Sequence, residues 1–429
     1  MLSSHKTPLL ALLAAIAVAL LAGCNDTLRQ FIVPVPQPAG NPAALGNAVV
    51  LSTNPSGNGS TMHIDVSGDT LAGTLTVGPN PVFLGKGGSN VYAINGDGTI
   101  TAYVALNPLS GIVNTVTSSP GTSLPVAGGT SSSTNFFTAN SASDDSSVVS
   151  SAVQAITAVI PLPVGSQPVA IAGSSANSKI YIVNHGNNTV TVVSTTDNTV
   201  VKTIPVGAQP IWGVMSADGV DVFVVNQGDG TVSVIDTTLD IVITVIPVGA
   251  SPNFAFYDPN RERVYVSNTG NNTISVIKAD GINLGVTPQI LPTLLANITV
   301  SGAPVSVAAL NDGSKVYSAL GNCPAGTNHT SLAANLASCN GTMVSVVDAV
   351  GLRETGTITV GSGVVSVDVA GDASRAYAVA AHAGTVADIR VATGKVITFP
   401  APQQNLSCSN PSSCPANITQ TPFMVRVFP

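Results

Sequence analysis

A unit of about 42 residues recurs along the chain, and that period restricts the fold more than any other feature of the sequence. Aligned copies read Lys179-Ile-Tyr-Ile-Val-Asn-His-Gly-Asn-Asn-Thr-Val-Thr-Val-Val, Asp221-Val-Phe-Val-Val-Asn-Gln-Gly-Asp-Gly-Thr-Val-Ser-Val-Ile-Asp and Arg263-Val-Tyr-Val-Ser-Asn-Thr-Gly-Asn-Asn-Thr-Ile-Ser-Val-Ile. They place Thr189, Thr231 and Thr273 at intervals of 42 residues. A second anchor, Val-Gly-x-x-Pro, repeats at the same interval over 164–168, 206–210 and 248–252. Inside each unit four short β-branched runs alternate with Gly/Asn/Asp turns, and no 3.6-residue period appears. Four strands per 40-odd residues is the pattern of a propeller blade.

The units resemble the YVTN-type (YncE-like) β-propeller repeats of bacterial surface and secreted proteins, most strongly over 164–278. Weaker copies carry the resemblance across nearly all of 46–429: the second reads Asn90-Val-Tyr-Ala-Ile-Asn-Gly-Asp-Gly-Thr, and the third, Phe136-Phe137-Thr-Ala-Asn, has no Tyr. The resemblance implies an architecture and leaves activity open, because propellers host unrelated functions. Outer strands end at Gly78, Gly121, Gly165, Gly207, Gly249, Gly302, Gly361 and Pro400, so the expected fold is all-β, a β-propeller of eight four-stranded blades. Seven blades is the alternative, since family members are commonly seven-bladed and units two and three are the least regular. The body starts at Ala48-Val-Val-Leu, a second strand without its first, and Pro422-Phe-Met-Val-Arg-Val-Phe reads as the missing one. Pairing of the N- and C-terminal strands would close the ring and remove its free edges.

Only 8% of the 429 residues are charged and the net charge is -7, which argues against phosphate-neutralising contacts to nucleic acid. Ahead of the repeats, His5 and Lys6 precede an apolar run over 9–22 that is too short for the roughly 20 residues needed to span a bilayer. Residues 1–23 read as a signal peptide. Leu21-Ala22-Gly23-Cys24 resembles the lipobox of bacterial lipoproteins, which implies lipidation of Cys24 and contact with a membrane through lipid only. Residues 24–45, with alternating prolines over 33–42, read as an extended tether. The expected location is the bacterial cell envelope, as a membrane-anchored lipoprotein of the outer membrane or of its periplasmic or extracellular face.

Strand order assigns the loops to faces. The turn between second and third strands and the link to the next blade share one face; the remaining turns lie on the other. Insertions at 322–341 and 401–421 fall on the link face, and one at 280–297 falls opposite. Cys323, Cys339, Cys408 and Cys414 all lie in the two link-face insertions, where disulfides are expected in an exported protein; local pairing is favoured and cross-loop pairing stays open. These adjacent insertions are expected to form an elaborated wall and to carry binding.

Catalytic chemistry is thinly represented. The chain has two glutamates, Glu262 and Glu354, and neither stands in a context that suggests a buried acid. His185 and His382 occupy matching turns of blades four and eight, which face each other across the ring, so a shared metal is not expected. Asp97 and Asp229 stand in Gly-Asp-Gly-Thr turns that lack the further carboxylates of a Ca²⁺ site. Phe83, Trp212 and Phe254 each follow a blade-opening proline by two residues; packing between blades is the favoured reading and a channel-mouth platform the other. No cofactor is expected. The candidates on the ligand face are His185, Trp212, His382, Asn184, Asn226 and Asn268. The expected function is a binding or interaction scaffold for an envelope glycan, protein or peptide. A propeller enzyme (lactonase-, lyase- or quinone-dehydrogenase-like) and a purely structural surface protein are the alternatives.

Overall fold

The computed structural model describes residues 46–54, 57–87, 90–104, 114–117, 124–130, 135–279, 291–404 and 418–428. Eight four-stranded antiparallel sheets form the blades of a propeller. Blade one combines Thr421–Phe428, Asn47–Thr53, Asn58–Asp65 and Thr70–Pro79, from the channel outward. Its innermost strand is thus the C-terminal one, with Leu51 opposite Met424 and Asn47 opposite Phe428. The innermost strands of blades two to eight begin at Pro81, Pro125, Pro168, Pro210, Pro252, Pro304 and Val364. Eight blades and closure by the terminal strands therefore describe the ring, and the seven-bladed alternative is set aside.

Packing explains the repeat residue by residue. The second strand of each blade is buried on both sides, and in blades two and four to eight its aromatic residue, Tyr92, Tyr181, Phe223, Tyr265, Tyr317 or Tyr377, fills the space between neighbouring sheets. In blade three Phe137 holds that position, while Phe136, one residue earlier on the strand, stacks on Tyr92 of blade two at 4.2 Å. The Phe136 ring lies so close to the adjacent backbone that a Cβ at Gly128 would come within 2.2 Å of it, which accounts for glycine there. The outer strands whose burial is described are partly to largely exposed, as in Thr199–Pro205, so the blade's apolar content falls outward from its middle strands.

In blades four, six, seven and eight the residue that begins the second strand stitches the blade to the next on the face opposite the links. Lys179 pairs with Asp240 at 2.6 Å, and the Tyr181 hydroxyl donates to the same carboxylate at 2.6 Å. Arg375 makes the matching contact from blade eight to Asp69 of blade one at 2.6 Å, and Arg390 also pairs with Asp69. The closing strand and this ion pair fasten the same junction.

Two boundaries differ from the sequence reading. The outer strand of blade six runs Thr293–Thr299, so that insertion ends at 292 and not 297, because Thr293 to Asn297 find ladder partners on the third strand. Gln403–Gln404 and Ile418–Thr419 form a two-residue ribbon at the base of the last insertion. Residues 1–45, most of the blade-six insertion, and Cys408 and Cys414 lie outside the described residues. Among the described residues no helix is long and apolar enough to cross a membrane.

Candidate binding site at the channel mouth

The link face is built by a recurring side-chain clasp. Asn184 donates from Nδ2 to Thr189 at 3.0 Å and Thr191 at 2.8 Å. Asn226 does the same to Thr231 and Ser233, and Asn268 to Thr273 and Ser275. All three asparagines are fully buried. The link glycine packs directly on the clasp: a Cβ at Gly207 would lie 2.6 Å from the Asn226 side chain, and at Gly249 equally close to Asn268. Hydrogen bonds from the turn to the link, such as Gly186 N–H to Ser166 O at 2.9 Å, join the two on one face. Asn184, Asn226 and Asn268, candidates on the ligand face from the sequence, are thus internal fasteners of that face. A buried amide N–H group needs acceptors, and the Thr-x-Ser/Thr of the next strand supplies them to Nδ2.

The two histidines are likewise committed to backbone. His185 donates from Nδ1 to the carbonyl of Pro210 in the next blade at 3.2 Å, and His382 donates from Nε2 to Leu336 O at 2.6 Å. The structure does not bring them together.

What converges on the axis is a different set. The blade-seven insertion, closed by the Cys323–Cys339 disulfide, folds inward across the channel mouth and does not stand up as a wall. Its one helical turn, Leu332–Asn335, and the following 3-10 turn, Leu336–Ser338, bury Leu332 and Leu336. Removing these two leucines of an otherwise polar loop from water favours the inward seating. His329 reaches blade four, donating from Nε2 to Val169 O at 2.8 Å, and Asn328 reaches Gln227 of blade five at 3.4 Å.

Under the insertion lie the three aromatic residues that follow blade-opening prolines. Trp212 packs on Phe254 at 4.8 Å, edge-on to His329 at 4.6 Å, and lies 6.4 Å from Phe83 of blade two. Its indole N–H donates to Ala255 O at 3.0 Å. Phe83 and Trp212 belong to blades that are not neighbours, so the aromatics meet across the channel as well as packing between sheets. The insertion's imidazole is their fourth member.

Beside them a cavity of about 30 Å³ is lined by residues that include Phe254, Thr327, His329, Ser366, Met424 and Arg426. Burial pushes His329 down to about 4, with nearby Arg426 acting in the same direction, so its ring is neutral at physiological pH. Burial also pulls the Arg426 guanidinium below its ordinary value while Asp368 acts against that shift, and Asp368 is raised by burial while Arg426 lowers it. His329, Asp368 and Arg426 were not singled out from the sequence. A detectable signal did exist for two of them, a charged residue on an innermost strand of a chain with few charges; His329 carries none beyond its place in an insertion.

No protein-family model and no curated protein matches the chain. Among solved structures, the fold is similar to Kuenenia stuttgartiensis hydrazine synthase, with 17% identity and a TM-score of 0.53 over 75% of this chain and 96% of that one. It is also similar to the dihydro-haem d1 dehydrogenase NirN, solved in complex with DHE, with 14% identity and a TM-score of 0.62 over 85% of this chain and 75% of that one. A functionally unknown protein from Desulfotomaculum acetoxidans gives 14% identity and a TM-score of 0.54, covering 73% and 95%. At these identities the likeness is one of fold. The chain is an eight-bladed β-propeller protein.

Proposed function

We propose that this chain is a lipid-anchored, extracytoplasmic propeller of the YVTN (YncE-like) type that works as a binding scaffold at the bacterial cell envelope. The observation that carries the binding reading is the disulfide-closed insertion seated across one channel mouth. It gives a periodic ring one surface that is not repeated, and closure by Cys323–Cys339 lowers the entropy that such a loop loses on meeting a partner. Exposed polar residues there, among them Asn322, Asn340 and His382, suit recognition of a glycan or a peptide segment through hydrogen bonds. The anchoring reading rests on Leu21-Ala22-Gly23-Cys24 after the apolar run. Acyl chains contribute about 0.8 kcal/mol per buried CH₂, enough in combination for a durable attachment.

Two experiments test the two halves. Metabolic labelling with a radioactive fatty acid is expected to mark the parent and to leave Cys24→Ser unlabelled; equal labelling refutes the anchor. Pull-down from solubilised envelopes is expected to lose its partner when 324–338 is replaced by a short Gly-Ser linker and Cys323 and Cys339 by Ser. A folded variant that retains the partner at unchanged affinity refutes the insertion as the binding surface.

A further inference from the structure

Arg426 is the unexplained charge of the channel. It sits on the closing strand and is half-buried, yet among the described residues its side chain makes no hydrogen bond and no ion pair. Its guanidinium lies 5.8 Å from the centre of the Phe254 ring. Asp368, on the adjoining innermost strand, faces it electrostatically, but the Asp368 oxygens are occupied by the N–H groups of Val369 and Val427, both at 2.9 Å. A half-buried guanidinium that lines a cavity and whose N–H groups meet no acceptor has donors to spare for a ligand.

Other groups lining the same cavity show the same bias. The Thr327 side chain is only 3% exposed and its hydroxyl has no partner. Ser366 Oγ accepts from Val425 N–H at 3.2 Å, which leaves its own proton free to donate. Phe254, Phe423 and Met424 form an apolar wall beside these donors. Lys86 adds a second positive charge near Asp368.

We propose that this axial cavity binds a small monocarboxylate, with its carboxylate on the Arg426 fork and its alkyl end against Phe254 and Met424. A planar guanidinium offers two parallel N–H groups that match the two oxygens of a carboxylate. The free volume is that of about two water molecules, which limits the ligand to the size of acetate or slightly larger. This site is separate from the envelope-partner reading and stands or falls without it.

The chain carries its own reporter, because Trp212 is the single tryptophan and packs on Phe254. Titrating the purified chain with sodium acetate, against sodium chloride at constant ionic strength, is expected to give a saturable change in tryptophan emission and a higher melting temperature. Acetamide, of the same shape without the charge, is expected to give neither. Arg426→Met is expected to abolish the response, and Thr327→Val to weaken affinity about tenfold with an unchanged melting profile in chloride, the loss of one hydrogen bond to a charged group. No saturable response in the parent, an equal response to acetamide, or an unchanged affinity in Arg426→Met overturns the proposal. Should Arg426→Met fail to fold, unchanged affinity in Thr327→Val overturns it.

Discussion

Asp221 shows how one residue departs from its repeat. At this position the other well-formed blades carry Lys179, Arg263, Lys315 or Arg375, each reaching into the next blade. Asp221 instead stands directly opposite Asp236 on the third strand, and both are buried with an unpartnered oxygen. Burial, with Asp218 and Asp236 as neighbouring charges, pushes Asp221 up to about 7. A carboxyl that holds its proton more tightly folded than unfolded contributes stability below its unfolded pKa, near 4, and loses that contribution as pH rises toward 7. Asp221→Asn is therefore expected to melt higher than the parent at pH 8 and to flatten the decline between pH 4 and 7. The difference at pH 8 should be on the order of a few kcal/mol, since each tenfold change in proton affinity corresponds to about 1.4 kcal/mol. Melting curves across a pH series check this; identical profiles would mean that Asp221 is already relieved in the native state.

At the scale of elements, two segments do work that their length understates. The closing strand Thr421–Phe428 buries Phe423, Met424, Val425 and Phe428 and pairs along the whole of Asn47–Thr53. Removing 422–429 deletes four core side chains, each costing about 2–5 kcal/mol, and opens a sheet edge. The sum is comparable to the whole stability of a typical domain, about 5–15 kcal/mol. The truncated chain is expected to lose its cooperative melting transition or to aggregate; an unchanged transition would contradict closure by this strand. The blade-seven insertion is the second such segment. Replacing 324–338 uncovers Phe83 and Trp212, so the emission of Trp212 is expected to shift to longer wavelength while the far-ultraviolet β signal persists. Loss of the disulfide and of buried Leu332 and Leu336 should lower stability by several kcal/mol, of which the loop closure accounts for about 3 kcal/mol. Emission unchanged in wavelength would show that the insertion does not cover the aromatic cluster.

For the whole molecule the decisive question is how a ring of eight similar sheets stays shut. Blades two to eight are each made of consecutive chain, whereas blade one is made from both of its ends. There the innermost strand is supplied by the C-terminus, and Asp69 receives both Arg375 and Arg390 from blade eight. Asp69→Ala leaves Arg375, 9% exposed at its side chain, without its nearest carboxylate. Breaking a buried pair in this way costs about 3–5 kcal/mol, discounted here because Arg390 is partly exposed. A drop in the denaturant midpoint with an unchanged slope is the expected result. No drop would mean that Asp388, 3.6 Å from Arg375, takes over the pairing.

Sequence alone determined the propeller class, the strand order and the expected closure, and favoured eight blades over seven, because β-branched runs, Gly/Asn turns and the 42-residue period act locally and repeat. It also located Cys323 and Cys339 in one insertion, which the structure pairs. The roles of Asn184, Asn226 and Asn268 were less legible. In one dimension a turn asparagine looks available, whereas in the fold it is enclosed between a link glycine and the Thr-x-Ser/Thr of the following strand. The candidate site was decided by tertiary structure only. Trp212 and Phe254 hold the same place in successive 42-residue units, whereas His329 comes from an insertion and Arg426 from the closing strand, and no period relates those two to the aromatics. They meet because ring closure points innermost strands at one axis, and because Leu332 and Leu336 draw the insertion down over it.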